Sequence, residues 1–149
     1  MRPAILLAAF LLGLLAGVGL SGRTQDYVVI SGLALHLDGA RHCNTYVTPG
    51  IGYEHALSKT WKLSVGAYDN SNCKLSSYVA GAWLPLKYGS FKLGTISGLV
   101  SGYNNSILPV AGLVLSYEPK NRIGLNFLFI PPAGDTSDGI FWAQFKFPW

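Results

Sequence analysis

Charge is scarce in this chain. Lys, Arg, Asp and Glu supply 12% of the 149 residues, about half the roughly 25% usual in soluble domains. A disordered chain or a charged coiled coil needs the opposite composition, so both are excluded. Only one Met is present, the initiator, against eighteen Gly and nineteen aromatic residues. That balance points to sheet and away from a helical bundle. The net charge is a modest +4, and the basic residues form no run, which argues against nucleic acid as a partner. The two cysteines match no zinc spacing. Neither a metal nor a soluble cofactor is expected.

After Gln25 no stretch of eighteen apolar residues occurs, so helical membrane spans are not expected there. Before it, residues 1–21 read as a signal peptide. Arg2 is its charged start, Ile5–Leu15 its apolar stretch, and Ala16, Gly17, Gly19 and Ser21 supply the small residues of a cleavage site. An uncleaved anchor is the alternative, since about twenty apolar residues can span a bilayer. Residues 22–149 are then a single domain.

What that domain contains is alternation. Segments of about ten residues switch between apolar and polar or small side chains and are broken by turn residues. Eight strands are predicted: Tyr27–Leu37, Tyr46–Leu57, Trp61–Asp69, Ser76–Leu86, Phe91–Ser101, Leu108–Tyr117, Arg122–Ile130 and Gly139–Phe147. Short connections (58–60, 87–90, 118–121) alternate with long ones (38–45, 70–75, 102–107, 131–138). This pattern predicts an all-β fold, an eight-stranded antiparallel up-and-down transmembrane β-barrel of the bacterial outer membrane. The faces agree. Phe141, Ala143, Phe145, Phe147 and Trp149 share one side of the last strand, against Trp142, Gln144 and Lys146. Tyr27, Trp61, Tyr88, Tyr103, Phe147 and Trp149 fit interfacial girdles. A soluble lipocalin-like barrel with an apolar interior is the competing architecture.

Cys43 and Cys73 fall in long connections at one barrel end, and export would permit a disulfide between them; two free thiols are the alternative. Most basic residues fall near the short turns: Lys59, Lys62, Lys87, Lys92, Lys120, Arg122 and Lys146. They are expected to solvate those turns or meet lipid headgroups. His55, near a short turn, is expected to be solvated, and His42 lies in the first long connection. His36 differs. With Gly32 and Ala34 it takes the inward parity of strand one, while Leu33, Leu35 and Leu37 face out. Tyr68 and Asn70 point inward where strand three enters its loop, with Ser71 at the rim. An imidazole beside a hydroxyl can act as base and partner. A satisfied polar plug is the plainer reading of the same residues.

These residues resemble the outer-membrane lipid A palmitoyltransferases (the PagP type), and the PagP-like barrels of proteobacteria and phages. The resemblance runs from His36 to the C-terminus. It rests on Pro49-Gly50-Ile51-Gly52, Ala67-Tyr68-Asp69-Asn70-Ser71, Ala80-Gly81-Ala82-Trp83 with Pro85-Leu86, Pro109-Val110, Phe129-Ile130-Pro131 and the aromatic last strand. It implies a monomeric eight-stranded barrel that moves an acyl chain from a phospholipid to lipid A. It implies His36 and Ser71 as catalytic residues, with Asn70 where the family has Asp. It further implies an acyl pocket at Tyr68 and Ala82, and lateral gates at Pro49 and Pro131. Ala82 stands where the family has glycine, which implies a shorter chain than palmitate. A non-enzymatic outer-membrane barrel, bacterial or phage-encoded, that alters envelope properties is the alternative.

Overall fold

Side chains that alternate every second residue suit strands, because successive Cβ atoms point to opposite faces of a sheet. The computed structural model describes residues 25–37, 46–103, 106–132 and 139–149. The strands are β1 (Tyr27–His36), β2 (Val47–Ala56), β3 (Trp61–Asp69), β4 (Leu75–Tyr88), β5 (Phe91–Tyr103), β6 (Ser106–Tyr117), β7 (Gly124–Ile130) and β8 (Ile140–Pro148). Each pairs antiparallel with its neighbour, and β8 returns to β1, so the sheet closes into an up-and-down barrel. Closure removes the two free outer strands that an open sheet would leave. No helix occurs among the described residues. The expected leader at 1–21, His42 and Cys43 lie outside the described residues.

Three details depart from the sequence reading. First, β5 runs on to Tyr103 and β6 starts at Ser106, so the long connection expected over 102–107 is mostly strand. Second, β1 carries a bulge between Ser31 and Leu33. A bulge inserts one residue and resets parity. Tyr27, Val29 and Ser31 face in before it, Ala34 is buried after it, and Gly32, expected to face inward, occupies the irregularity. Third, Tyr27 and Tyr103 do not belong to an outer girdle. Tyr27 is almost fully buried, and Tyr103 lines the interior.

The outer face is apolar. Leu33, Leu35, Ile51, Leu99, Leu113, Phe127, Phe141 and Phe145 are all exposed. Trp61 stacks on Trp83 across β3 and β4, and Phe91 lies against Tyr117 across β5 and β6, both near the short turns. Phe129 stacks on Phe141 further along the barrel. An inward-apolar, outward-polar lipocalin pattern is thus not what the chain adopts.

The interior at the short-turn end is a charged plug. Lys146, with no exposed surface, bonds Glu54 Oε1 and Glu118 Oε1, each at 2.6 Å, and Ser116 Oγ at 3.0 Å. Lys62 bonds Glu54 Oε1 at 2.7 Å and also reaches Glu118. Both ammonium groups stand over the Tyr27 ring, Lys62 at 4.9 Å and Lys146 at 4.3 Å from its centroid. Lys92 holds the other oxygen of Glu118 at 2.9 Å. The expectation that Lys62 and Lys146 solvate turns is therefore wrong. They neutralise the carboxylates of Glu54, which is buried, and Glu118, which is partly so. Burial alone would raise the carboxyl of Glu118, which follows β6; Lys146 and Lys62 overcome that and hold it well below the usual carboxylate range. His55 is not simply solvated either. Its Nδ1 lies 2.9 Å from Asp26 Oδ2, which also accepts from the Tyr53 hydroxyl at 2.7 Å. Burial pushes Asp26 up, but the Ala56 amide, Tyr53 and His55 together leave it below its ordinary value.

Candidate functional site

Above the plug the barrel opens into a cavity of about 410 Å³, within the range of small-molecule sites. Its lower part is apolar: Ala82, Leu84, Val114 and Leu128 form a buried cluster, with Ile96 and Trp142 packed against it. Ala82 pairs in register with Lys62, so this apolar floor lies at the level where the plug begins. Two inward positions on β2 and β3 are glycine, which makes room for Tyr78. A Cβ at Gly52 or Gly66 would meet the Tyr78 hydroxyl at 2.3 or 2.7 Å. The missing side chains form a trough that lets Tyr78 lie flat across β2 and β3.

The upper cavity is aromatic and hydroxylic. Tyr68 contacts the rings of Trp142 and Tyr78, with centroids at 5.0 and 6.2 Å. Its hydroxyl lies 3.2 Å from that of Tyr103, and Ser71 lines the same part of the cavity. His36, at the end of β1, and Ser71, just after β3, line this same cavity. Two groups 35 residues apart are thus brought to one chamber, because β1 and β3 end on the same side of the barrel.

Asn70 explains why Ser71 sits there. Asn70 is fully buried. Its Oδ1 accepts from the Asn72 and Lys74 amides at 2.9 and 3.0 Å, and its Nδ2 donates to Ser76 Oγ and the Gly102 carbonyl, both at 3.0 Å. Its backbone N–H donates to the Lys74 carbonyl, and its own carbonyl accepts from Cys73, whose φ of 54° is left-handed. An Asx side chain that caps its own turn is a familiar way to shape a tight loop. Both amide hydrogens and both oxygen lone pairs are taken up in fixing the β3–β4 turn and tying it to β5. Asn70 therefore acts on the site by placing Ser71.

Pro49 lies in β2 opposite the β1 bulge, where the β1–β2 register is interrupted. Pro131 directly follows β7, which pairs with β6 only from Leu113 to Tyr117. Over residues 106–112 β6 has no ladder partner on its β7 side among the described residues. Both prolines thus flank discontinuities of the ladder, as expected of residues that cannot donate to it. Thr48, Tyr78, Tyr103 and Trp142 also line the cavity; the sequence reading had Tyr103 in a girdle and did not single out Thr48 or Tyr78. Parity marks Trp142 as inward, yet nothing local shows that it crosses the lumen to Tyr68. No protein-family model matches the chain, and no curated protein matches it.

The arrangement can take an amphiphile with a slender apolar tail. The tail would meet Ala82 and Leu84, and the polar end would remain near His36, Ser71 and the tyrosine hydroxyls.

Proposed function

We propose that the chain is an outer-membrane barrel that takes an acyl chain from a phospholipid into its interior and transfers it to lipid A or another envelope lipid. One observation carries this reading: an imidazole and a serine hydroxyl line a deep apolar cavity inside a barrel whose outside is itself apolar. An apolar outer band and a closed ladder are what a bilayer demands. The leader at 1–21 would deliver the chain to the envelope, and a Cys43–Cys73 bridge would tie two loops there. The barrel would work as a monomer, without a cofactor.

In this mechanism His36 takes the proton from a hydroxyl of the acceptor lipid. That oxygen attacks the donor's ester carbonyl carbon and forms the new C–O bond. The old ester C–O bond breaks, and the proton passes from His36 to the departing lysophospholipid alkoxide. Ser71 donates a hydrogen bond to the carbonyl oxygen as charge develops on it. Asn70 holds the Ser71 turn. Pro49 and Pro131 mark the seams through which lipids would enter sideways.

Asn70 favours a second reading as well. Its amide carries no charge and is fully engaged, so it cannot stabilise an imidazolium as a carboxylate would. A non-enzymatic barrel that alters the envelope is consistent with that. Mass spectrometry of lipid A and phospholipids from cells expressing the chain decides between them. Acyl transfer predicts lipid A heavier by one acyl group and a matching lysophospholipid, both lost in His36→Ala and Ser71→Ala. A folded, heat-modifiable barrel with unchanged lipids would leave only the non-enzymatic reading.

A further inference from the structure

The Thr48 hydroxyl and the Trp142 indole N–H are both buried, and neither has a hydrogen-bond partner among the described residues. Both residues line the cavity. Buried donors are nearly always paired in folded proteins, so two in one chamber call for an occupant. The occupant's chemistry follows from the atoms. An indole N–H only donates, and a threonine hydroxyl can donate as well. A group that satisfies both is an acceptor, and a carbonyl or carboxylate oxygen has two lone pairs to offer.

The topology places the two donors on the strands that flank β1. Thr48 is on β2, opposite the irregular stretch of β1, and Trp142 pairs with Ala34 on the other side of β1. The Trp142 ring contacts Tyr68 on β3 at 5.0 Å and Tyr78 on β4 at 6.0 Å. To do so it crosses the lumen, and Thr48 lines the same cavity. Trp142 packs against the apolar cluster of Leu84 and Leu128 and also against Tyr68, Tyr78 and Val100, so its indole borders both hydrocarbon and hydroxyls. An oxygen attached to a hydrocarbon tail fits both surroundings at once.

We infer that Thr48 and Trp142 form a two-donor seat for the carbonyl or carboxylate oxygen at the head of an acyl chain held in the cavity. The inference rests on the reading that an acyl chain enters the barrel, but not on turnover. The seat lies two pairing positions below His36 along β8, where Trp142 and Ile140 face Ala34 and His36 in turn. An acyl head held there has its carbonyl carbon below the imidazole. The seat thereby sets how far the chain descends towards Ala82.

The test uses the full chain in dioleoylphosphatidylcholine vesicles, titrated with methyl dodecanoate or dodecanoate, each carrying ¹³C at the carboxyl carbon. Infrared difference spectra follow the labelled carbonyl or carboxylate band, which moves when hydrogen bonds form. The wild type should show a saturable, hydrogen-bonded band. Thr48→Val, which keeps the side-chain shape, and Trp142→Phe, which keeps a ring against Tyr68, should each weaken it about fivefold or more, the loss expected for a single hydrogen bond. Folding of both variants is checked by heat-modifiable migration. The ester band responding alone identifies a lipid acyl group as occupant, and the carboxylate band responding alone a free fatty acid. A saturable band that is unchanged in both folded variants overturns the seat and leaves the acyl chain in the cavity. No saturable band in the wild type overturns the seat together with acyl occupancy. A seat confirmed in a protein that leaves lipid A unchanged would stand while acyl transfer falls.

Discussion

Lys146→Met is the sharpest probe of how the barrel is built. Met keeps the length of the stem and removes the charge. Lys146 is completely buried, and its ammonium bonds two carboxylates at 2.6 Å and Ser116 at 3.0 Å. Removing it leaves Glu54 with Lys62 and the Asn126 amide, and Glu118 with Lys62 and Lys92. One positive charge leaves a largely buried cluster that keeps both negative ones. Losing one partner of a buried ion pair costs about 3–5 kcal/mol, and the residual partners place this variant towards the lower part of that range. Urea unfolding in zwitterionic lipid vesicles at neutral pH, followed by tryptophan fluorescence, measures the loss. The double variant Lys146→Met with Glu54→Gln should recover part of it, with a coupling of about 1–3 kcal/mol, because the stranded charge is gone. A single-variant loss below about 1 kcal/mol, or strict additivity, would refute the plug as an interdependent unit.

Acid should weaken the fold in a defined window. The carboxyls of Glu118 and Asp26 titrate lower in the folded chain than their ordinary values of 4.5 and 3.8. Their stabilisation is therefore complete at neutral pH and drains away as pH falls below those values towards the folded-state ones; a urea midpoint that stays flat or rises from pH 6 to pH 3 contradicts this. Asn70→Asp should not gain function. It would set a carboxylate oxygen 3.0 Å from the Gly102 carbonyl in place of a donor, at a cost of about 1–3 kcal/mol, and a variant both more stable and more active in lipid transfer would overturn the turn-fixing role of Asn70. Ala82→Gly should deepen the cavity floor by a methyl group, so that transferred or bound chains lengthen by about one methylene; an unchanged chain-length profile would take Ala82 off the floor.

Much of the barrel was legible because outward and inward positions alternate without ambiguity where one face is apolar. β3 spans Trp61–Asp69 as read from the sequence, and the Phe141–Phe145 and Gln144–Lys146 faces of β8 point as expected. Parity fails only where the ladder is interrupted. The bulge at Ser31/Leu33 leaves no composition signal beyond one glycine, and that glycine was read as an ordinary inward position. The plug was illegible for another reason. Lys62, Glu54, Glu118 and Lys146 come from four strand ends or turns, and their partners are up to 92 residues apart. A lysine near a turn looks the same in sequence whether it snorkels outward or turns into the lumen. The site was half legible. His36 and Ser71 follow from parity and loop position, but the work of Asn70 depends on Ser76 and Gly102, which only the closed sheet brings to it.

What fills the lumen between Leu84 and His36 decides whether an acyl chain enters the barrel. A crystal structure grown from lipid cubic phase would show it directly. Continuous density for one extended hydrocarbon chain, tail at Ala82 and Leu84 and oxygen-bearing end beside Trp142 and Thr48, is the result predicted. A lumen closed by repacked side chains, or filled only by ordered water, would contradict it.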